Sequence, residues 1–400
     1  MSKGVLLIAF DFPPCQSPGV ERTLRFAHYL ESYGWSPTVL TVCQSTFGTD
    51  NLIDDNQFSF PVYRTFCLDV SKHLAYRGKY FGWMKKPDRY VGWSLTAIPK
   101  AIRLIRRLNI DVVWSTYPLL TSHLIGLVSS CYTKVPWVAD YRDPLQCHYD
   151  KTVYNEFKFH RWLERKIIAR CSRAVFTTLG ASKLYQNLYN KEDKFVTIEN
   201  GIEENLINSI KVKEKPLGKC SLLHLGSLYK NGRDTRLLFE ALGNLKKRNI
   251  VSKSNFELFL VGCETENYQT ELAKQFDVVD LLRLKKKVSH NEALGMLQQG
   301  KGLLLVQNDI FNLQIPSKVY EYLATNAFII ALTPHIGDTG QLLAHYNGCV
   351  VAESAVEVEC ALEAFVTNAS GELFERDISA LTRKRATQKL ALLLDKASRD

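Results

Sequence analysis

The feature that most constrains this chain is a regular alternation of short apolar runs with longer amphipathic stretches. In the first half the runs occur at 5–10, 38–42, 62–65, 111–115, 137–139, 174–178 and 195–198. Between them, apolar residues three or four positions apart predict helices. Nearly continuous hydrophobic strands separated by helices are typical of a parallel sheet that is covered on both faces. The sequence therefore predicts an α/β fold built from doubly wound sheets.

The same alternation begins again after residue 217, with runs at 221–225, 257–261, 282–284, 302–306, 328–332 and 349–351. The stretch 211–219 between the two series is polar, contains Pro and Gly, and predicts a linker. We therefore predict two Rossmann-like domains, at 1–210 and 218–372, and a charged amphipathic helix at 376–397 that could pack on either. Paired domains of this kind usually face a central cleft and bind ligands there, at the carboxyl ends of their strands.

Positive charge is concentrated in the first half of the chain. The net charge is +10. Between residues 72 and 107 the sequence has one acidic residue, Asp88, and ten basic ones: Lys72, Arg77, Lys79, Lys85, Lys86, Arg89, Lys100, Arg103, Arg106 and Arg107. Aromatic residues are mixed with them at Tyr80, Phe81, Trp83, Tyr90 and Trp93. A solvated helix face would explain 98–108 but not these clustered aromatics.

Aromatic residues among cations are typical of a segment that lies on an anionic membrane surface. We predict membrane or acceptor contacts at Trp83, Lys85, Lys86, Arg89, Arg103, Arg106 and Arg107. Nucleic-acid binding is the competing interpretation, but no RNP, KH or helix-turn-helix signature accompanies the charge, so we expect no nucleic-acid partner.

The sequence contains neither a signal peptide nor an uninterrupted apolar stretch of the roughly 18 residues that a spanning helix needs. Its ten cysteines are scattered without a C-x-x-C pair, as in proteins of a reducing cytosol. We expect a cytoplasmic protein, peripheral on the inner face of the cell membrane, that uses neither a metal nor another cofactor.

Two loops of the first half carry candidate site residues. Gly19, in the loop after the first strand, stands directly before a helix, where backbone N–H groups can approach a phosphate. The segment 136–144 is a predicted strand that ends in three ionisable residues, Asp140, Arg142 and Asp143. The alternatives, which the sequence leaves open, are an ordinary strand-to-helix turn and a structural Arg–Asp pair.

Two loops of the second half suggest a phosphate site. The loop 226–234 contains Gly226, Lys230 and Arg233, and a guanidinium fork or an ammonium group suits phosphate oxygens. The stretch 315–334 predicts a helix that begins at Pro316 and Ser317, with Lys318 and Glu321 on one face. Lys318 could meet phosphate and Glu321 could accept hydrogen bonds from ribose hydroxyls. The alternatives are a solvated loop and an exposed salt bridge.

Taken in order, these segments resemble the family 4 glycosyltransferases of the GT-B fold, and the resemblance is closest to the bacterial sugar transferases of surface-polysaccharide assembly. It covers nearly the whole chain and rests on DFPP, SPGVERTLRFAHYL, GWSPTVLTV, VPWVADYRDP, FVTIENGIEE, LHLGSLYKNGRD, LFLVG and IPSKVYEYLA. The resemblance implies a retaining transferase without a metal, with a UDP- or GDP-linked sugar donor on the C-terminal domain. It places a lipid-linked or oligosaccharide acceptor on the N-terminal domain.

The resemblance also implies roles for single residues. Gly19 would contact the donor diphosphate through its N–H, Arg233 and Lys318 would neutralise that diphosphate, and Glu321 would bind the ribose. Gly262 would line the nucleotide pocket. Asp140, Arg142 and Asp143 fall where the family has its catalytic loop. The C-terminal helix of such enzymes often crosses back onto the N-terminal domain.

The chain departs from the family pattern at Leu313, eight residues before Glu321, where the family's E-x7-E motif has its first Glu. That Glu usually contacts the donor sugar. Two alternatives therefore stay open: a non-catalytic GT-B partner or scaffold subunit, and an enzyme like the nucleotide-sugar 2-epimerases. An epimerase would need further acids and a His in the cleft, which the ADYRDP loop matches poorly.

Overall fold

The computed structural model describes residues 2–17, 19–48, 52–74, 79–145, 148, 157–211, 218–263, 266–299, 302–369 and 372–399. Two compact units are present. Unit 1 comprises Met1–Asn200 together with Arg383–Asp400, and unit 2 comprises Gly201–Thr382. Most of the predicted linker, 212–217, lies outside the described residues, as does Arg77 of the basic segment.

Unit 1 contains a seven-stranded sheet in the order β3-β2-β1-β4-β5-β6-β7, all neighbours parallel. Its strands are β1 Lys3–Ile8, β2 Trp35–Val42, β3 Val62–Thr65, β4 Ile110–Thr116, β5 Trp137–Arg142, β6 Arg173–Phe176 and β7 Phe195–Thr197. Its helices are α1 Val20–Leu30, α2 Val70–His73, α3 Trp93–Arg107, α4 Leu120–Thr133, α5 Lys158–Arg170 and α6 Leu179–Tyr189, with α14 Arg383–Ala397 at the end of the chain.

Both faces of the unit 1 sheet are covered, which explains the continuous apolar runs. Side chains alternate across a strand, so Val5 and Leu7 of β1 point to one face. There they pack in one core cluster with Phe26 of α1 and Leu394 of α14. Leu6, on the opposite face, is equally buried. The order of the strands reverses between β1 and β4, where Rossmann-like sheets bind their ligands.

The C-terminal helix packs on α1 of unit 1. Besides their shared apolar core, Arg383 contacts Glu21 at 3.1 Å and Lys3 contacts Asp395 at 2.7 Å. The helix begins at Arg383, later than the predicted residue 376. The reason is that the Arg376 guanidinium donates hydrogen bonds to backbone carbonyls of unit 2, including those of Thr325 and Ala327.

Unit 2 contains a six-stranded parallel sheet in the order β10-β9-β8-β11-β12-β13. Its strands are β8 Cys220–Leu225, β9 Phe256–Val261, β10 Leu282–Lys285, β11 Gly302–Val306, β12 Phe328–Leu332 and β13 Cys349–Ala352. Its helices are α7 Glu204–Ser209, α8 Arg236–Lys247, α9 Glu266–Gln275, α10 His290–Leu297, α11 Ser317–Ala324, α12 Asp338–Leu343 and α13 Ala355–Ala364. The strand order reverses between β8 and β11.

The first unit ends earlier than the predicted boundary at residue 210. Residues 201–211 pack in unit 2, where Ile202 forms a parallel β-bridge with Thr382. The Ile202 side chain is buried in the same core cluster as Leu381. The segment 201–210 therefore belongs with the strands that follow it, and so does 376–382.

Candidate active site

Two glycine loops meet at the carboxyl edge of the unit 2 sheet. Gly226 follows β8 with φ 104° and Gly262 follows β9 with φ 76°, conformations that favour glycine. The Gly226 N–H donates to the Val261 carbonyl at 2.8 Å. A Cβ added to Gly262 would lie 3.6 Å from the Gly226 Cα. The backbones at Gly226 and Gly262 therefore lie next to each other at this edge, and we call them the glycine floor of the site.

Lys318 lies over this floor. Its Nζ donates to the Leu225 carbonyl at 2.6 Å and would be 3.0 Å from a Cβ added to Gly226. Burial and, to a smaller extent, the nearby Arg233 guanidinium lower the pKa of Lys318 to about 7, although Glu321 partly opposes both. The Lys318 ammonium group is buried, donates to a neutral carbonyl and lies near a second cation, so an anion bound here would stabilise its charged form.

Arg233 supplies the second cation of the site. Its Nη1 donates to the Ser227 carbonyl at 3.0 Å, and its guanidinium lies 5.2 Å from the Tyr229 ring centroid. Gly232, just before it, has φ 102°, and a Cβ there would come within 2.4 Å of Phe311. The loop therefore holds Arg233 against the same edge as Lys318.

Helix α11 fixes the position of Lys318. Pro316 occupies the N-cap position and Ser317 begins the helix, but no side-chain cap hydrogen bond forms there. Val319, Tyr320 and Leu323 face the core. The hydroxyl of Tyr322 accepts a hydrogen bond from the Leu225 N–H at 3.2 Å and ties the helix to the end of β8. Glu321 is half-buried beside Lys318.

The structure separates Lys230 from the other predicted donor residues. Its side chain is exposed, and its Nζ lies 6.0 Å from the ring centroid of Tyr268 on α9. Lys318, Arg233, Gly226, Gly262 and Glu321 are instead grouped at the carboxyl ends of β8 and β9 and the start of α11. That group, and not Lys230, brings two cations together at one edge of the sheet.

In unit 1, Gly19 lies against two charged side chains. A Cβ added to Gly19 would be 2.6 Å from both Arg142 Nη1 and Asp11 Oδ2. Asp11 accepts a hydrogen bond from the Ser17 hydroxyl at 2.6 Å, and Ser17 Oγ accepts one from the Gly19 N–H at 3.1 Å. The start of α1 thus presents backbone beside a carboxylate and a guanidinium.

Asp140 faces the interior rather than this loop. Arg22 of α1 donates to both of its carboxylate oxygens at 2.8 Å, and the Thr116 hydroxyl donates to Oδ2 at 2.9 Å. Asp140 is fully buried and Arg22 is 7% exposed. Of the two possibilities that the sequence left open for Asp140, the contacts favour the structural Arg–Asp pair.

Arg142 and Asp143 are half-buried in the same loop. Arg142 has φ 62°, an uncommon conformation for a residue with a Cβ, and its Nη1 donates to the Tyr117 carbonyl at 3.2 Å. Burial raises the pKa of the Asp143 carboxyl, although the Arg142 charge opposes that shift. Asp143 therefore has the character of a carboxylate that can exchange a proton nearer neutral pH.

Sequence reasoning missed Arg22, Asp11 and His123. Asp11 lies in the loop after β1, and Arg22 lies in α1. The available signal for Arg22 was a charged residue at a helical position that faces the sheet. His123 of α4 is fully buried, and its Nδ1 lies 2.8 Å from the Ser115 hydroxyl. Burial lowers its pKa to about 3, so the imidazole is neutral at physiological pH.

The predicted membrane residues fall at two ends of one helix. Trp83, Lys85, Lys86 and Arg89 lie in the loop before α3 and are exposed, whereas Arg103, Arg106 and Arg107 are exposed at its other end. Arg106 lies over the Tyr132 ring at 5.0 Å. The 15 residues of α3 separate the two groups by about 20 Å at 1.5 Å per residue.

The aromatic cluster of the sequence divides in the structure. Phe81 and Trp83 are each 71% exposed and stack at 6.4 Å. Trp93 does not contribute to the surface, because it is fully buried and its indole N–H donates to the Thr65 hydroxyl at 2.8 Å. Tyr90 packs on Phe10 with ring centroids 4.4 Å apart.

Within the described residues, no helix is both long enough and apolar enough to cross a bilayer. Over the same parts of the chain, no group of three His, Cys, Asp or Glu side chains is placed to hold a metal ion.

Comparison with known proteins places residues 19–206 in the family described as Glycosyltransferase Family 4. No curated protein sequence matches the chain. Many solved structures are similar to this chain, among them three that match along nearly the whole length. The apo lipopolysaccharide outer core galactosyltransferase WaaB has a TM-score of 0.65 at 9% identity, covering 98% of this chain and 99% of that one.

HepE of Anabaena, in complex with UDP, has a TM-score of 0.58 at 11% identity and covers 99% of this chain and 97% of that one. The UDP-GlcNAc 2-epimerase of Methanocaldococcus jannaschii has a TM-score of 0.54 at 11% identity and covers 98% and 99%. At these identities the likeness establishes the fold, which is GT-B. The family match over residues 19–206 covers just under half of the chain and, together with this fold, supports a family 4 glycosyltransferase.

Proposed function

We propose that the protein transfers a sugar, with retention of anomeric configuration, from a UDP- or GDP-linked donor to a lipid-linked or oligosaccharide acceptor of surface-polysaccharide synthesis. The observation that carries the proposal is the placement of Lys318 and Arg233 beside the open Gly226 loop in unit 2. HepE, which has this fold, was solved with UDP and with UDP-glucose. The name of WaaB supports a role in surface-polysaccharide assembly.

The main chemical demand of such a reaction is departure of a nucleoside diphosphate. As the bond between the sugar C1 and the diphosphate oxygen breaks, negative charge develops on that oxygen. Lys318 and Arg233 are fixed cations where this charge would develop, and preorganised charge of this kind lowers the barrier. The acceptor hydroxyl then forms the new bond to C1 from the same face, and its proton passes to the leaving diphosphate.

Unit 1 would contribute the acceptor side. Gly19, which lies against Arg142 at the start of α1, and Asp143 would border the reacting groups. The raised pKa of Asp143 would suit a relay that takes the hydroxyl proton and passes it on to the leaving diphosphate. Asp140 would act as a positioning residue, because its carboxylate is held by Arg22. No step of this mechanism requires a metal ion.

Peripheral attachment to the inner face of the membrane is part of the proposal. Phe81 and Trp83 are exposed beside Lys85 and Lys86 on a loop that is anchored to the sheet domain. The anchor is Asp88, whose carboxylate accepts hydrogen bonds from the N–H and the hydroxyl of Thr121 at 2.9 Å. A fixed loop that displays aromatic and cationic side chains suits an anionic leaflet.

A donor screen tests the transferase directly. The purified protein is incubated with a panel of UDP- and GDP-sugars, and released UDP or GDP is measured. Release from at least one donor, lost in Lys318→Ala and kept in the exposed control Lys247→Ala, is the expected result. An epimerised nucleotide sugar would instead identify the epimerase alternative. A protein that neither releases nor binds a nucleotide would favour the scaffold alternative.

A further inference from the structure

Helix α5 presents a basic face that the basic segment 72–107 does not include. Its exposed positions follow a spacing of three and four residues and are Lys158, Trp162, Arg165, Lys166, Ala169 and Arg170. This face carries four cations, one tryptophan and no carboxylate. The single acid of the helix, Glu164, is fully buried, and it accepts a hydrogen bond from the Tyr189 hydroxyl at 3.0 Å.

Helices α3, α4 and α5 are neighbours in one layer on the sheet of unit 1. At one end of the layer, Arg170 donates to the Ser130 carbonyl of α4 at 3.2 Å, and Arg106 of α3 lies over Tyr132 of α4. At the other end, His160 Nε2 of α5 donates to the Pro87 carbonyl at 2.6 Å. The basic face of α5 is thus tied to the loop that displays Phe81 and Trp83.

We propose that the exposed face of α5 is a second contact with the anionic membrane surface, so that unit 1 docks through its α3–α5 layer. This inference rests on the membrane part of the proposed function and does not depend on sugar transfer. Cations around a half-exposed tryptophan are typical of interfacial helices. Trp162 is 53% exposed, and its ring centroid lies 5.6 Å from that of Phe159. The two rings form an apolar pair among the cations.

The placement of the tryptophans provides a direct test. Of the six, Trp35, Trp93, Trp114 and Trp137 are at most 1% exposed, whereas Trp83 and Trp162 are on the surface. The full chain is mixed with vesicles of phosphatidylglycerol and brominated phosphatidylcholine. In Trp83→Phe the bromine quenching reports Trp162, and in Trp162→Phe it reports Trp83.

We expect quenching in both variants, and none with vesicles of brominated phosphatidylcholine alone. Quenching of Trp83 without quenching of Trp162 would overturn the inference and leave the membrane proposal standing. Quenching of neither would overturn both, while the donor screen would still decide the transferase. Displacement from the vesicles by a short single-stranded RNA would point to a nucleic-acid surface instead.

Charge removal gives an independent measurement. The variant K158Q/R165Q/K166Q/R170Q should bind phosphatidylglycerol vesicles at least tenfold more weakly in sedimentation, since each cation near such a surface adds to its attraction. The matched control neutralises four exposed cations of unit 2, Lys247, Arg248, Lys253 and Lys274, and should bind as the parent does. Equally weakened vesicle binding in both variants would show that only the net charge of the protein matters, and would refute a contact at α5.

Discussion

Arg22 and Asp140 form a buried, doubly hydrogen-bonded ion pair, from Nε to Oδ2 and from Nη2 to Oδ1, both at 2.8 Å. The same guanidinium also donates to the carbonyls of Ile198 and Glu199 and to Asn200 Oδ1. Residue 200 is the last residue of unit 1 before the chain enters unit 2. One side chain of α1 therefore holds the end of β5 and the exit of the chain from the unit.

The ion pair predicts a large loss of stability in Arg22→Met. The variant would leave the Asp140 carboxylate buried without its partner, and breaking a buried pair from one side costs about 3–5 kcal/mol. Urea unfolding at neutral pH, followed by circular dichroism, measures that loss. The double variant R22M/D140M should recover part of it, because no unpaired charge remains. A double variant no more stable than Arg22→Met would show that the hydrogen bonds to 198–200 dominate instead.

The two cations of unit 2 predict a loss of turnover without a loss of fold. Lys318→Ala and Arg233→Ala should each lower the turnover number at least tenfold, because a cation that meets the leaving diphosphate acts mainly in the transition state. Steady-state kinetics with the donor found in the screen measures this, with thermal unfolding as the check on folding. Lys247→Ala is the control. Near-parent turnover in both variants would contradict the assignment of the diphosphate site to this edge of the sheet.

The pKa of Lys318, about 7, predicts a pH dependence of nucleotide affinity. Below pH 7 the free site is already charged and attracts the diphosphate fully. Above pH 7 the free site has lost its proton, so binding must take one up, and affinity falls as pH rises by at most tenfold per pH unit. Burial holds the pKa of the neighbouring His224 well below its usual value, so that ring stays neutral over this range.

Calorimetric titration with UDP between pH 7.5 and 9 measures this effect. The nucleotide's own charge is constant in that range, since its last phosphate pKa is about 6. Repeating the titration in buffers with different ionisation enthalpies counts the protons taken up. Lys318→Arg keeps a charge at all these pH values and should show no uptake. A parent affinity that does not change over this range would mean that Lys318 keeps its proton in the empty site.

The strands could be predicted from the sequence because their signal is local. Runs such as 302–306 and 328–332 are buried on both faces, so every residue in them is apolar. The start of α14 could not be predicted, because it depends on where Arg376 finds backbone carbonyls far along the chain. Asp140 was ambiguous for the same reason: its partner Arg22 is 118 residues away, and only the folded sheet brings the two together.

The surroundings of Gly19 predict the effect of adding a single methyl group. In Gly19→Ala the Cβ would lie 2.6 Å from Arg142 Nη1 and 2.6 Å from Asp11 Oδ2, so both side chains must move. Gly19 has φ −68°, which alanine adopts without strain, so the variant should fold with little change in stability. We expect turnover to fall at least tenfold, because displacement of positioned groups by about 1 Å can cost two orders of magnitude in rate. Gly295→Ala is the control, since its Cβ would meet open space. Parent-like kinetics in Gly19→Ala, at unchanged melting temperature, would show that neither Arg142 nor the start of α1 has to keep its place for the reaction.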